Sequence, residues 1–318
     1  MRIYFAPLEG ITDAVYRRAH AGHFGGACKY FIPFVSPTQN LRFTGRELSN
    51  VDPGENAGLF AVPQILTRDA EHFLWAAGAL FDMGYGEINL NMGCPSGTVT
   101  AKGKGAGMLR DLEALESFLD TVCPRVRSRL SVKTRIGYAD PAEFDALLSL
   151  LSRYPLHELI VHPRTRGEFY RGAPHADAFA AAFSRTGLPL VYNGDLFSAE
   201  DCRAKLRECP QTHALMLGRG LIANPALARE LSGGAPLSPG ELQDFCGELL
   251  ERWLSRHPAN VAVARMVCVM KHVACCFEGA DRPRKLIRKA KTLPAYREAE
   301  AALFSCPMKA LPRFEPEA

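Results

Sequence analysis

Several things are missing from this chain of 318 residues, and each absence excludes something. Its ten cysteines form no C-x-x-C pair and no zinc-type spacing, so neither a dithiol redox motif nor a structural zinc site is indicated. In a cytosolic chain they are expected to be free thiols. Cys268, Cys275 and Cys276 fall on one expected helix, where small apolar filling of a helix face is favoured over metal ligation; no metal site is expected. There is no G-x-G-x-x-G, so no separate dinucleotide-binding unit is expected. No low-complexity tract occurs, and the only repeat is an alternation of strand-like and helix-like segments. No stretch approaches the uninterrupted apolar length of a membrane span, and the opening Met1–Pro7 run is too short for a signal peptide and reads as a strand. The expected location is therefore cytoplasmic, without membrane or obligate protein partner. The net charge of +4 is a mild excess whose meaning depends on where it lies.

What is present is a regular succession. Strand-like runs are expected at 3–6, 30–34, 59–64, 87–91, 130–133, 158–162, 188–193 and 214–218. Helical patterns fall between them at 69–83, 112–126, 142–154 and 199–208, with Asp69, Asp111 and Ser198 placed to cap them. Strands alternating with helices imply parallel βαβ units, and eight strands in this length fit a (β/α)8 TIM barrel better than an open sheet. The stretch 231–240, dense in Gly, Pro and Ser, marks a boundary. Beyond it 241–256 and 261–277 are helical, with two shorter helices after them. The expected fold is α/β, a barrel over 1–232 followed by a small all-α domain over 240–318.

The unusual polar residues sit where strands end, which in such a barrel is one common mouth. Pro7, Leu8 and Glu9 follow the first strand and Gln64 closes the third. Asn91 and Cys94 follow the fourth, Lys133 and Arg135 the fifth, and His162 and Arg164 the sixth. Asn193-Gly194-Asp195 ends the seventh and Gly218-Arg219-Gly220 the eighth. Each has a bland reading: a structural thiol, a snorkelling lysine, a satisfied core histidine, a turn. Their recurrence at strand after strand favours a site. The glycines of the last two loops, with Arg219, suit a cofactor phosphate.

These residues resemble the tRNA-dihydrouridine synthase family. Ala6-Pro7-Leu8-Glu9-Gly10-Ile11-Thr12-Asp13 is similar to its opening flavin segment and Asn91-Met92-Gly93-Cys94-Pro95 to its active-site loop. The runs 132–137, 162–165, 193–195 and 217–220 match its later motifs in order. Leu8 stands where methionine is common, Asn89 where aspartate is frequent, and Tyr192 where a smaller residue is usual, which leaves the target uridine open. The resemblance implies an FMN-binding barrel with a helical RNA-binding domain, using NADPH to reduce the C5=C6 bond of tRNA uridines. It implies hydride delivery from the flavin to C6 and Cys94 as proton donor to C5; an ordinary thiol, with a pKa of about 8.5, carries its proton near neutrality. Pro7, Leu8, Glu9, Gln64, Lys133, Asn193, Gly194, Asp195, Gly218 and Arg219 are implied to hold the cofactor. His162 is placed with them, though it could instead line the substrate side. Asn91, Arg135 and Arg164 are implied on the substrate side, although Asn91 could orient either the flavin or the uracil.

A uridine inside folded tRNA must leave its stack to reach such a mouth. Residues 282–297 carry seven Lys or Arg and no acid, and Arg284, Arg288 and Lys291 are expected on one helix face as a stripe for phosphates. Lys102 and Lys104, in a loop expected to be flexible after Cys94, are further candidates for tRNA. Two other readings remain: an FMN barrel acting on a free pyrimidine such as dihydroorotate, and an RNA-binding protein without catalysis.

Overall fold

In a computed structural model, which describes residues 1–309, eight parallel strands close into a barrel. They are β1 (Ile3–Phe5), β2 (Lys29–Val35), β3 (Ala61–Ile65), β4 (Glu87–Met92), β5 (Arg129–Gly137), β6 (Leu159–Thr165), β7 (Leu190–Tyr192) and β8 (Ala214–Leu217). Each pairs with the next, and β8 returns to β1. The strands are the eight expected ones, with β5 and β6 running further toward the mouth. Asp69, Asp111 and Ser198 cap the helices Ala70–Asp82, Leu112–Val122 and Ala199–Glu208 through their side chains.

Helices Ala14–His23, Gly45–Val51 and Ala176–Ala182 are not legible as periodic patterns. In the first, polar residues occupy the buried face. Arg17 is buried on Asn56 and the carbonyls of Thr12 and Asn50, and His20 lies between the Tyr30 hydroxyl and the Pro225 carbonyl. These satisfied groups erase the apolar stripe that the sequence pattern needs.

Strand alternation divides the residues of β4 between two environments. Ile88, Leu90 and Met92 join the main core beneath the helices, while Glu87, Asn89 and Asn91 alternate with them and belong to the barrel interior. Toward β1, β2, β6, β7 and β8 that interior is apolar, with Tyr4, Phe31, Ile160, Val191 and Met216. On the β3–β5 side it is polar. Register sets Gln64 beside Asn89 and Asn89 beside Ser131. At the base, Lys29 Nζ lies 2.8 Å from Glu87 and 3.0 Å from Glu158, and the Tyr4 hydroxyl donates to Glu158. Charges there are paired, closing the barrel opposite its mouth.

After a Gly/Pro-rich stretch come the helices Pro239–Leu254, Ala259–Val273, Asp281–Lys289 and Leu293–Phe304. They pack on the barrel through one continuous apolar core. Phe245 meets Tyr16 and Phe24 edge-on. Asp13 caps the first helix, accepts from Trp253 Nε1 at 3.0 Å, and pairs with Arg265. Residues 310–318, included in the expected helical domain, lie outside the described residues.

Among the described residues one stretch, 259–276, reaches the length and mean hydropathy of a membrane span. Arg265 and Lys271 interrupt it, and 56% of it is buried in the protein, as in a core helix. All ten cysteines are free thiols. Cys275 and Cys276 are buried in a turn beyond the helix that carries exposed Cys268, so the three do not share a helix face.

Candidate active site

The strand ends surround a cavity of about 320 Å³ at the barrel mouth. This lies within the range of small-molecule and cofactor sites. Pro7, Leu8, Glu9, Gln64, Asn91 and Cys94 line it from the first four strands. Lys133, Arg135, His162, Asn193, Gly194, Gly218 and Arg219 line it from the rest.

Cys94 is fixed by its backbone. Its N–H donates to Asn91 Oδ1 at 3.0 Å, as does that of Gly93 at 3.1 Å, and its carbonyl accepts from Ala106 N at 3.1 Å. Arg135 holds the same turn, donating from Nε to the Gly93 carbonyl at 3.0 Å and from Nη1 to the Thr165 carbonyl at 2.7 Å. The following loop is packed down, against the expectation of a flexible one. A Cβ on Gly105 would lie 2.9 Å from the Cys94 carbonyl oxygen, so glycine is what lets this segment close over the turn. Lys104 is drawn in by donating to Ser36 Oγ, while Lys102 is exposed; neither lines the cavity.

Lys133 points its ammonium into a site already rich in positive charge. Burial and the neighbouring Arg135 guanidinium push it down to about 7. His162 is held well below the ordinary histidine value by burial and by Arg135, Lys133 and Arg164. Arg164 Nη1 can only donate, so its 3.3 Å contact makes His162 Nε2 an acceptor and places the imidazole proton on Nδ1. His162 is thus a neutral, oriented ring rather than an acid.

Two expected roles need correction. Arg164, expected on the substrate side, is fully buried and outside the cavity lining; it donates to both oxygens of Asp195 and to the carbonyls of Arg171 and Gly172. Asp195, expected at the cofactor, holds Arg164 on one side and Arg219 on the other, at 2.8 Å. It bridges the two guanidiniums. The Gly194 backbone is hemmed in by Tyr192, whose hydroxyl would stand 2.2 Å from an added Cβ. The larger residue at 192 therefore makes glycine obligatory two positions on.

Tyr170 carries no signal in the sequence. It lines the mouth, half exposed, with the Arg135 and Arg219 guanidiniums 5.3 and 4.9 Å from its ring centre and His162 edge-on at 5.9 Å. It lies past the end of β6, beyond the strand-end positions singled out from the sequence. Pro33 and Phe34 also line the mouth; their apolar run gives no sign of anything beyond a strand.

None of the basic residues of 282–297 lines the mouth. Arg284 and Arg288 are one turn apart on the helix Asp281–Lys289, but Lys291 falls after the helix ends at extended Ala290. The expected three-residue face is therefore two residues and a neighbour.

Lys133, Arg135 and Arg219 give the cavity wall its charge, and among the described residues the one carboxylate lining it is Glu9 at the rim, which pairs with Arg46. Fold and site together define a TIM-barrel enzyme whose mouth suits a ligand carrying acceptors and negative charge. A family model described as dihydrouridine synthase matches residues 4–305. The chain belongs to the dihydrouridine synthase family and is a flavin-dependent oxidoreductase. It is 28% identical over 295 residues to tRNA-dihydrouridine synthase B of Pasteurella multocida, covering 91% of this chain and 87% of that one. It is 30% identical over 301 residues to a probable tRNA-dihydrouridine synthase of Synechocystis, covering 93% and 78%. Among solved structures it is similar in fold to a morphinone reductase, with TM-score 0.54, 13% identity, and 75% and 88% of the two chains covered. It is also similar to an old yellow enzyme homologue from Zymomonas mobilis, with TM-score 0.53, 14% identity, and coverage of 74% and 90%.

The lowered Lys133 value gives a sign that can be measured. A lysine near 7 when folded and about 10.4 when unfolded binds fewer protons in the folded state between those values. Its penalty is complete below pH 7 and is relieved as pH rises. Cofactor-free protein is expected to gain thermal stability from pH 7 toward 10, with a shallower gain in Lys133→Met, as followed by melting curves in the two proteins.

Proposed function

We propose that this enzyme reduces the C5=C6 bond of uridines in tRNA, with FMN in the barrel mouth and NADPH as the source of electrons. One observation carries the reading most: a thiol held by its own backbone at the edge of a donor-lined mouth, within reach of Lys133's field. The donor set fits the cofactor. Arg219 and the backbone of Gly194 and Gly218 suit its phosphate, and Lys133 suits the negative charge of the reduced ring. Gln64 and the 7–9 segment suit its ring edge. Reduced FMN, when bound, supplies the hydride that adds at C6.

The chain's own residues do the rest. Uracil's C5=C6 bond is conjugated with its C4 carbonyl, so addition at C6 leaves negative charge that Arg135 and the Asn91 N–H can face. Cys94 Sγ gives its proton to C5 and regains one from solvent, completing net addition of hydride and proton. Neutral His162 keeps a second acid away from the ring.

In this reading the barrel, 1–232, carries the chemistry and the helical region, 240–318, carries the tRNA, in the cytoplasm. Arg284 and Arg288, with Lys291 beside them, face phosphates, and Lys102 and Lys104 meet the RNA at the rim. Replacing Arg284, Arg288 and Lys291 by Ala is expected to raise KM for tRNA with little change in kcat. The slope of log KM against log salt should fall by about one for each phosphate that is no longer neutralised. An unchanged slope places the RNA elsewhere.

The decisive experiment maps dihydrouridine in tRNA from cells with and without the gene. Loss at a defined position is expected; an unchanged map removes this function. Comparable turnover of free uridine or orotate would instead favour the free-pyrimidine reading.

A further inference from the structure

A chain of buried hydrogen bonds runs from the Cys94 turn down into the barrel interior across the adjacent strands β3, β4 and β5, and its direction is fixed at both ends. The N–H groups of Gly93 and Cys94 can only donate, so the Asn91 atom facing them is its oxygen. Asn91 Nδ2 then donates to Gln64 Oε1 at 2.7 Å, and Gln64 Nε2 to Asn89 Oδ1 at 2.7 Å. Asn89 Nδ2 donates to Ser131 Oγ at 2.9 Å, whose hydroxyl donates to the Ile88 carbonyl at 3.1 Å. That carbonyl can only accept. No amide in the series can turn over without setting two donors or two acceptors against each other in a buried site, which is costly.

We propose that Asn89 and Ser131, which do not line the mouth, are positioning residues that hold the Cys94 turn and lock Asn91 as a pure donor toward the ligand. With its oxygen engaged by two N–H groups, Asn91 has one N–H left to offer. It therefore meets a carbonyl oxygen on the bound ring and disfavours an amino group there. This rests on the uridine-reducing reading above.

Asn89→Leu breaks the series at its middle. Ser131→Ala removes only the end stop and serves if the first variant folds poorly. The ionised carboxylate of Asn89→Asp can only accept, so above its titration it receives hydrogen bonds from both Gln64 and Ser131 and preserves the sense of the Gln64 amide. Three readouts apply: flavin per chain, kcat and KM on unmodified tRNA transcript, and the iodoacetamide alkylation rate of Cys94 in cofactor-free protein, resolved by peptide mass spectrometry. In Asn89→Leu, kcat per bound flavin is expected to fall about tenfold or more with KM near wild type, and Cys94 alkylation to change about threefold or more. Ser131→Ala should move the same way by less, and Asn89→Asp should restore most of both. Unchanged alkylation and kcat per flavin in Asn89→Leu overturn the proposal, as does an Asn89→Asp variant equally impaired. If wild-type protein makes no dihydrouridine, the function fails, while the alkylation comparison still decides the positioning role.

Discussion

Cys94→Ala is expected to keep its flavin and its fold while losing dihydrouridine formation by about 10²–10⁴-fold, the usual weight of a positioned acid. Retention follows from how the turn is held. The three hydrogen bonds that fix residue 94 and its neighbour Gly93 to Asn91 and Ala106 are made by backbone atoms, and Arg135 grips the Gly93 carbonyl. None involves the thiol. Loss follows from the scarcity of other proton sources. His162 is held neutral with its Nε2 accepting from Arg164, and Arg135 keeps its protons at any working pH. Two lining groups still carry a movable proton: Lys133, whose charge is needed opposite the cofactor, and the phenol of Tyr170, whose ring stacks under the Arg135 and Arg219 guanidiniums, so Tyr170→Phe is the control variant. The measurement is rapid mixing of reduced enzyme with unmodified tRNA, following flavin reoxidation and product. Cys94→Ser should fall between the two, since a hydroxyl fits the turn but yields its proton less readily. Wild-type turnover in Cys94→Ala would remove the thiol from the chemistry.

The barrel is legible in the sequence because eight apolar runs alternate with capped helices, and the mouth is legible because polar residues recur where those runs stop. What cannot be read there is which polar residues touch the ligand and which hold those that do. Arg164 and Arg219 stand at equivalent strand ends, yet Arg164 is buried behind Asp195 and Arg219 faces the cavity. Only the path of the chain after β6 decides this. The carbonyls of Arg171 and Gly172 come back over Arg164 and close it from the mouth. The same return brings Tyr170 into the site, an aromatic with no strand-end position to betray it. Asn89 stands out in the sequence as an unusual residue, but its use depends on the sideways register of β3, β4 and β5, which no single strand encodes.

The Arg164–Asp195 pair gives the largest expected change in stability. Removing one partner of a buried ion pair leaves the other charge uncompensated, at a cost of about 3–5 kcal/mol. Asp195 is 19% exposed on its side chain and Arg164 keeps two carbonyl acceptors, so the lower end of that range applies to Asp195→Ala. For a chain of 318 residues that corresponds to a fall of roughly 4–6 °C in the Tm of cofactor-free protein. Arg164→Met with Asp195→Ala removes both charges and should recover part of the loss, because an apolar pair can replace a buried ion pair at little cost. Asp195 also neutralises Arg219, which lies beside the proposed phosphate site. Taking the carboxylate away raises the net positive charge that an anion meets there. Added FMN should therefore raise the Tm of Asp195→Ala by more than it raises that of wild type, since a ligand stabilises in proportion to how well it binds the folded state. A smaller rise in the variant would show that Asp195 serves the phosphate by orienting Arg219 more than it opposes it by charge.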